Sequence, residues 1–254
     1  VGSEGTLGVV TEATIALEGI PEYRRAALVT FPSERAASRA VSDTIRFGGK
    51  PGAIEFMDAL TVKTVNEYSG TALEESPTLL VELHGNNEGI DDDVTFVRGI
   101  CEDNGATGWE AAAEDEIDDL WQARRDVYHA AENYRDEWEI AVVGDVVVPI
   151  STYPEIVDRV VEESEALDLV CPAVGHAGDG NLHYTPLLDT DDDEAVERAM
   201  ELNDRIVSAA IEMGGTATGE HGIGIGKRKF MRQEHAGALV LMAVIKDLID
   251  PNGI

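Results

Sequence analysis

Apolar and polar positions along this chain switch repeatedly between the two-residue period of a strand and the longer period of a helix. Residues 1–17 alternate and end in Thr14-Ile15-Ala16-Leu17, a strand pattern, and Glu18-Gly19-Ile20-Pro21 reads as a linker. Residues 25–31 are β-like, and Ser33 carries an N-cap side chain ahead of a helix pattern that runs to about residue 47. A short strand at 53–57, a helix at 60–68, a strand at 78–84, a helix at 91–104 and a strand at 107–111 follow. The series predicts an α+β fold of two ferredoxin-like β-α-β units. Paired edge to edge, they would form one antiparallel sheet with helices on one face.

Beyond them the pattern predicts a long helix over 114–138. Residues 141–148 form a β-branched run that reads as a buried strand, which Pro149 ends. An amphipathic helix at 153–167 and a strand at 170–174 lead to the first of two glycine-rich turns. A strand at 183–187 and helices at 194–213 and 235–249 complete the chain, which shows no repeat and no low-complexity segment.

The two turns carry the candidate chemistry. One is Gly175-His176-Ala177-Gly178-Asp179-Gly180-Asn181-Leu182-His183, and the other is Gly219-Glu220-His221-Gly222-Ile223-Gly224. Glycine suits positive-φ turns and places where a ligand presses on the backbone. Imidazoles with a carboxylate suit zinc, or manganese where oxygen donors are added. A further imidazole beside such an ion could accept a substrate proton. A lone histidine in a glycine-rich loop usually caps or packs, and the spacing of His176 and His183 fits neither a helix turn nor a short strand. The polar turn Gly178-Asp179-Gly180-Asn181 can nonetheless fold the chain so that both rings face one point, with Asp179 bracing it through backbone two residues on.

These residues resemble the C-terminal half of the FAD-linked hydroxyacid oxidases and dehydrogenases, the group of the glycolate oxidase D subunit and D-lactate dehydrogenase. The family pattern H-x-G-D-G-N-x-H, then G-E-H-G-I-G, then D-P-x-G is met at residues 176–183, 219–224 and 250–253. Residues 2–13 resemble the end of that family's flavin-binding domain. The resemblance therefore implies that residues 1–18 are a remnant of that domain and 19–254 the substrate- and metal-binding domain. It implies further that the chain continues beyond both ends.

In the same terms, His176, His183 and Glu220 would hold a divalent metal, zinc or manganese, and His221 would be the general base. Asn181 would orient substrate or flavin through its amide. Trp121-Gln122-Ala123-Arg124 matches a W-x-x-R pattern whose arginine clamps the substrate carboxylate, a task suited to a planar bidentate fork. Arg125 points elsewhere, towards a surface acid. Gly2, Ser3, Gly5, Thr6 and Gly8 would lie along FAD. The 2-hydroxyglutarate branch has Lys-x-Asp where this chain has Val143-Gly144-Asp145, which favours a monocarboxylate such as D-lactate or glycolate. The implied reaction oxidises a D-2-hydroxyacid with hydride transfer to FAD, then passes electrons to a quinone or another carrier.

Composition removes other classes. Net charge is −31, from 50 acidic against 19 basic residues, which repels nucleic acid and anionic membranes. The acid is spread along the chain and little of the base is Lys, as expected of a protein adapted to high salt. Asp189-Thr190-Asp191-Asp192-Asp193 lacks the glycine and final glutamate of a calcium loop. Gly222 to Arg228 fails the phosphate-loop pattern, and Lys227 with Arg228 reads either as an attractor of anionic substrate or as a basic pair opening a helix. Cys101 and Cys171 form no C-x-x-C pair, and the apolar run at 238–245 is far short of the ~20 residues of a membrane span. A cytoplasmic enzyme is expected, with peripheral association at the inner membrane face and homodimerisation left open. A metal-dependent hydrolase using the same residues, or a non-catalytic assembly domain, are the alternatives.

Overall fold

The computed structural model describes residues 2–17, 19–86 and 89–253. Val1, Glu18 and Ile254, which bound the two expected domains, lie outside the described residues. The first half follows the expected element order: β1 (Tyr23–Thr30), α1 (Glu34–Arg46), β2 (Ala53–Met57), α2 (Ala59–Ser69), β3 (Thr78–Gly85), α3 (Ile90–Asp103) and β4 (Gly108–Ala111). Ser33 caps α1, its hydroxyl accepting the Ala36 N–H at 3.2 Å. Asp58 caps α2 in the same way, accepting the Thr61 N–H at 2.7 Å.

The two β-α-β units interleave rather than meeting edge to edge. The strand order β4-β1-β3-β2 places β3 between β1 and β2, antiparallel to both. Burial explains this. Thr78 to Leu83 of β3 are buried on both faces, which only a central strand achieves. The short β4, half exposed, takes the edge.

Three strands of the second half extend the same sheet: β7 (Ala173–Gly175), β8 (Asn181–Tyr184) and β6 (Gly144–Val147), giving β4-β1-β3-β2-β7-β8-β6. The joint is the antiparallel pair β2–β7, with Phe56 opposite Gly175 and Met57 opposite Val174. On one face α1, α3, α6 (Tyr153–Ala166) and α7 (Asp193–Glu212) bury Phe31, Val41, Phe56, Leu79, Ile156 and Ile206. On the other, α2 and α5 (Val127–Glu132) close Val62, Val65, Val127 and Ala130 over Met57 and Val174. Helices thus cover both faces, not one.

The expected helix over 114–138 is two short helices, α4 (Ile117–Arg125) and α5, broken at Asp126. Asp126 spends its carboxylate on the side chains of Gln122 and Ser69 at the break. The run 141–148 yields β6 only, while Glu139–Ile140 (β5) pairs with Leu187–Leu188 (β9) in a separate ribbon. The helix expected over 235–249 begins only at Leu239, as α9 (Leu239–Ile249), and Gly237 separates it from a short α8 (Met231–His235) that the pattern did not show. Residues 8–17 form no strand: Val9, Val10, Ile15 and Leu17 are exposed, and alternation alone cannot make a strand without a paired backbone.

Candidate metal and substrate site

The first glycine-rich turn is a reversal between β7 and β8. Gly180 closes it at φ 77°, and a Cβ there would stand 2.2 Å from the Val148 carbonyl oxygen. The main chain braces it: the N–H groups of Asp179 and Asn181 donate to the His176 carbonyl at 3.0 and 3.3 Å, and that of Gly180 to Ala177 at 3.1 Å. The bracing is the backbone's, not that of the Asp179 side chain. Register sets Val174 opposite His183, and the His176 and His183 rings meet edge to face with centroids 5.8 Å apart.

The second turn, residues 219–226, contains neither helix nor strand and is positioned by one side chain, Asp145 of β6. Asp145 is fully buried. Its Oδ2 accepts the N–H groups of Gly219, Glu220 and His221 at 3.0, 3.1 and 3.0 Å, and the Thr218 hydroxyl at 3.2 Å. Lys227 Nζ donates to the same oxygen at 3.1 Å and to the Asp145 carbonyl at 2.8 Å. Successive amides around one anion form a nest. Burial pushes the Asp145 carboxyl up, but the His221 N–H and the Lys227 ammonium outweigh it and hold the group well below the usual carboxylate range. Gly219 is required by close approach, since a Cβ would lie 2.3 Å from Asn181 Nδ2 and 2.5 Å from Asp145 Oδ1. In the sequence Asp145 marks only a missing lysine, yet Lys227 brings an ammonium to it from 82 residues away.

The loop presents Glu220 and His221 to the first turn. Glu220 Oε1 lies 3.3 Å from His183 Nε2, 3.6 Å from His221 Nε2 and 4.0 Å from His176 Nε2. Two atoms bound ~2.1 Å from one ion can stand at most about 4.2 Å apart. His176, His183 and Glu220 each offer an atom within 4.8 Å of the others, so a small closure of the two turns would let them share an ion. Asp145, His183 and His221 are equally close. That set is chemically closed, because Asp145 is saturated and His183 Nδ1 donates to the Gly144 carbonyl at 3.3 Å. A donating Nδ1 leaves the lone pair on Nε2, facing Glu220. The His183 and His221 rings stack at 5.1 Å and 14°. Burial lowers the pKa of His183, whereas a hydrogen bond to Glu55 raises that of His176.

Arg124 reaches the site from α4. Its Nε donates to Glu55 Oε2 at 2.8 Å, and it lines a cleft of about 400 Å³ with His176, His183, Glu220 and His221. Val127, Val143 and Val174 add an apolar part to its lining. Trp121, one turn earlier, donates its indole N–H to Glu82, which also accepts from Arg24 at 2.8 Å and pairs with His84 at 2.6 Å. Burial opposes ionisation of Glu82, but these partners, Arg24 foremost, bring its pKa down to about 2. Arg125 turns away, bonded to Gln122 rather than to an acid. Asn181 donates its amide N–H₂ to Asp145 Oδ1 at 2.9 Å and so braces the loop.

Gly2, Ser3 and Thr6 lie against the second turn. The Ile223 N–H donates to the Gly2 carbonyl at 2.8 Å, and Thr6 turns back on the Ser3 carbonyl at 3.0 Å. Gly2, Gly5 and Gly8 have φ of 78°, 80° and 153°, which glycine alone adopts freely. Ser3, Thr6 and Leu7 form one side of a groove of about 700 Å³, and Glu220, Ile223 and Met242 part of the other.

Residues 20–254 match the family model described as FAD linked oxidases, C-terminal domain. The chain belongs to this family. A probable mitochondrial D-lactate dehydrogenase of Danio rerio is 36% identical over all of this chain and 51% of its own length. A glycolate oxidase subunit of Bacillus subtilis is 33% identical over all of this chain and 54% of its own length. The chain thus spans about half the length of these relatives. The solved structure of 4-ethylphenol oxidase from Gulosibacter chungangensis has the same fold, at a TM-score of 0.65 and 16% identity, over 92% of this chain and 53% of that one. The family assignment agrees with the FAD-linked resemblance read from the motifs, and the α+β sheet matches the fold it implied.

Proposed function

We propose that this chain is the substrate- and metal-binding part of a flavin-dependent dehydrogenase that oxidises a D-2-hydroxyacid to the 2-oxoacid. The observation that carries the reading is convergence: a half-buried arginine from α4, two imidazoles from the β7–β8 turn, and an imidazole and a carboxylate from the 219–226 loop face one cleft. Arg124 grips the substrate carboxylate with its terminal nitrogens. His221 Nε2, beside Glu220, accepts the hydroxyl proton. His176, His183 and Glu220 have the donor types and spacing for zinc or manganese. Bound there, such an ion would lower the pKa of the substrate hydroxyl as a Lewis acid.

FAD would supply the hydride acceptor. The groove lined by Gly2, Ser3 and Thr6 suits a flat ligand held mainly by backbone, with Gly5 and Gly8 on the same segment and residues 1–18 as the remnant of the flavin domain. The apolar part of the lining and Val143, where a second cation would stand, favour a monocarboxylate of the D-lactate or glycolate type. Electrons would then pass to a quinone or another carrier. No helix among the described residues is long and apolar enough to cross a membrane. The dispersed acid excess is read as adaptation to high salt in a cytoplasmic enzyme.

Elemental analysis of the purified chain beside His176→Ala and His183→Ala tests the metal reading. About one zinc or manganese per chain, lost in both variants, is expected. Full occupancy in both variants overturns it. Dye reduction in high salt by the flavin-loaded protein, with D- and L-hydroxyacids, tests the reaction. Hydrolysis of an ester or amide by the metal-loaded, flavin-free chain, with no dye reduction, would point to the hydrolase instead.

A further inference from the structure

Glu55 stands in the middle of β2, on the sheet face that carries the cleft, and is 5% exposed. A buried carboxylate persists only when it is paired and hydrogen-bonded. Each of its oxygens has one partner. Oε1 lies 2.8 Å from His176 Nδ1, and Oε2 accepts Arg124 Nε–H at 2.8 Å. Burial raises the Glu55 pKa, but the His176 hydrogen bond and the Arg124 charge reverse the shift and keep it ionised.

We propose that Glu55 is a positioning residue shared by the substrate clamp and the metal ligands. The inference rests on the reading of Arg124 and His176 given above and adds the link between them. The bond from Nε leaves the two terminal nitrogens of Arg124 as the fork available to a substrate carboxylate. The bond at His176 Nδ1 holds the proton there and leaves Nε2 for the ion, 4.0 Å from Glu220. A carboxylate on the far nitrogen also makes a ligating imidazole more basic, and loss of such a partner typically costs roughly 10–100-fold in metal affinity. Arg124 draws on the same carboxylate, so charge change at the clamp reaches His176 through Glu55. Coupling of this kind is reciprocal.

Glu55→Gln keeps the shape and reverses the chemistry. Its amide oxygen can accept from Arg124, but its N–H₂ would donate to His176 Nδ1 and drive the proton to Nε2, where the ion should bind. The test is a double-mutant cycle on zinc affinity in the full chain, read by competition with a chromophoric chelator. The variants are Glu55→Gln, Arg124→Met and the pair, with melting curves to check that each is folded. We expect Glu55→Gln to weaken zinc by roughly 10–100-fold. Arg124→Met should change zinc affinity severalfold when Glu55 is present and not at all when it is Gln. Zinc affinity of Glu55→Gln within about twofold of the parent, or an equal effect of Arg124→Met in both backgrounds, overturns the coupling. If Glu55→Gln fails to fold, ¹⁵N NMR of the metal-free parent decides: the proton of neutral His176 on Nδ1 supports the role, and on Nε2 overturns it. Unchanged zinc binding in His176→Ala would instead defeat the metal reading itself.

Discussion

The turn from His176 to His183 and the loop from Gly219 to Gly226 bring side chains to the same cleft, but they are held differently. The first is a tight reversal between β7 and β8, so strand pairing on both sides fixes its ends. The second has no strand or helix of its own and is gathered around the carboxylate of Asp145. Ladder hydrogen bonds are numerous, and each contributes only about 0.5–1.5 kcal/mol net. A buried ion is a single anchor whose removal strands every group that faced it. One half of the site is therefore distributed in its stability and the other concentrated at one residue.

The largest expected effect follows from removing that anchor. Asp145→Ala removes the carboxylate that gathers three backbone N–H groups and leaves the Lys227 ammonium only the main-chain carbonyl of residue 145, and should cost about 3–5 kcal/mol. Denaturant unfolding measures the total. Hydrogen exchange locates it: protection should fall over 218–222 and persist over 181–184, where β8 pairs with β6 and β7. Equal loss in both segments would break the comparison. Gly180→Ala strikes the other turn, forcing a side chain to φ 77° against the Val148 carbonyl. An expected cost of roughly 1–3 kcal/mol should appear in the melting curve, with exchange rising at 176–181 and not at 218–222.

The same contrast explains what could be read from the sequence. The capped helix α1, the strands β1 to β3 and the helices α6 and α7 were legible because each has a strong period and its own end signals. The order of β1 to β3 was not, because β3's central place follows from burial on both faces, which appears only once the sheet is assembled. The glycine-rich turns were visible as motifs. Their supports were not: Glu55 lies 121 residues from His176, and Asp145 lies 74 from Gly219. Neither has a local signal beyond an acidic residue inside an apolar strand. That signal is real, since a carboxylate in a buried run must find partners, but it does not name them. Asn181 shows the converse: the motif marks the residue, but nothing in the sequence shows that its amide N–H₂ reaches the loop's anchor, Asp145.

Lys227→Met sharpens the question of how concentrated the anchor is. Asp145 keeps its backbone donors and loses one charged partner, so the loss should be roughly 1.5–3 kcal/mol, smaller than for Asp145→Ala. Because Lys227 is nearly buried, added salt should reduce its contribution little. A cost equal to that of Asp145→Ala would mean that the ion pair, not the nest of amides, holds the loop.

The mildest perturbation is pH, and here Asp58 and Asp145 are opposites. Both are buried carboxylates, but Asp58 faces burial with little beyond the Thr61 N–H, and its pKa is pushed up to about 7. A raised carboxyl contributes stability below its unfolded value of about 3.9 and loses it as pH rises through about 7. Asp145, depressed, contributes above about 3.9 and loses its contribution only as pH falls through its lower folded value. Between pH 4 and 7 the start of α2 should therefore weaken while the loop does not. Asp58→Asn keeps the N-cap and removes the buried charge, so its stability should be flatter across pH 4–8 than that of the parent and higher at pH 8. Asp145→Asn should be less stable than the parent throughout the same range. Urea midpoints at several pH values measure both. If the two variants shift stability in the same direction at pH 8, the number of donors facing a buried carboxylate does not decide whether its charge holds the structure or strains it.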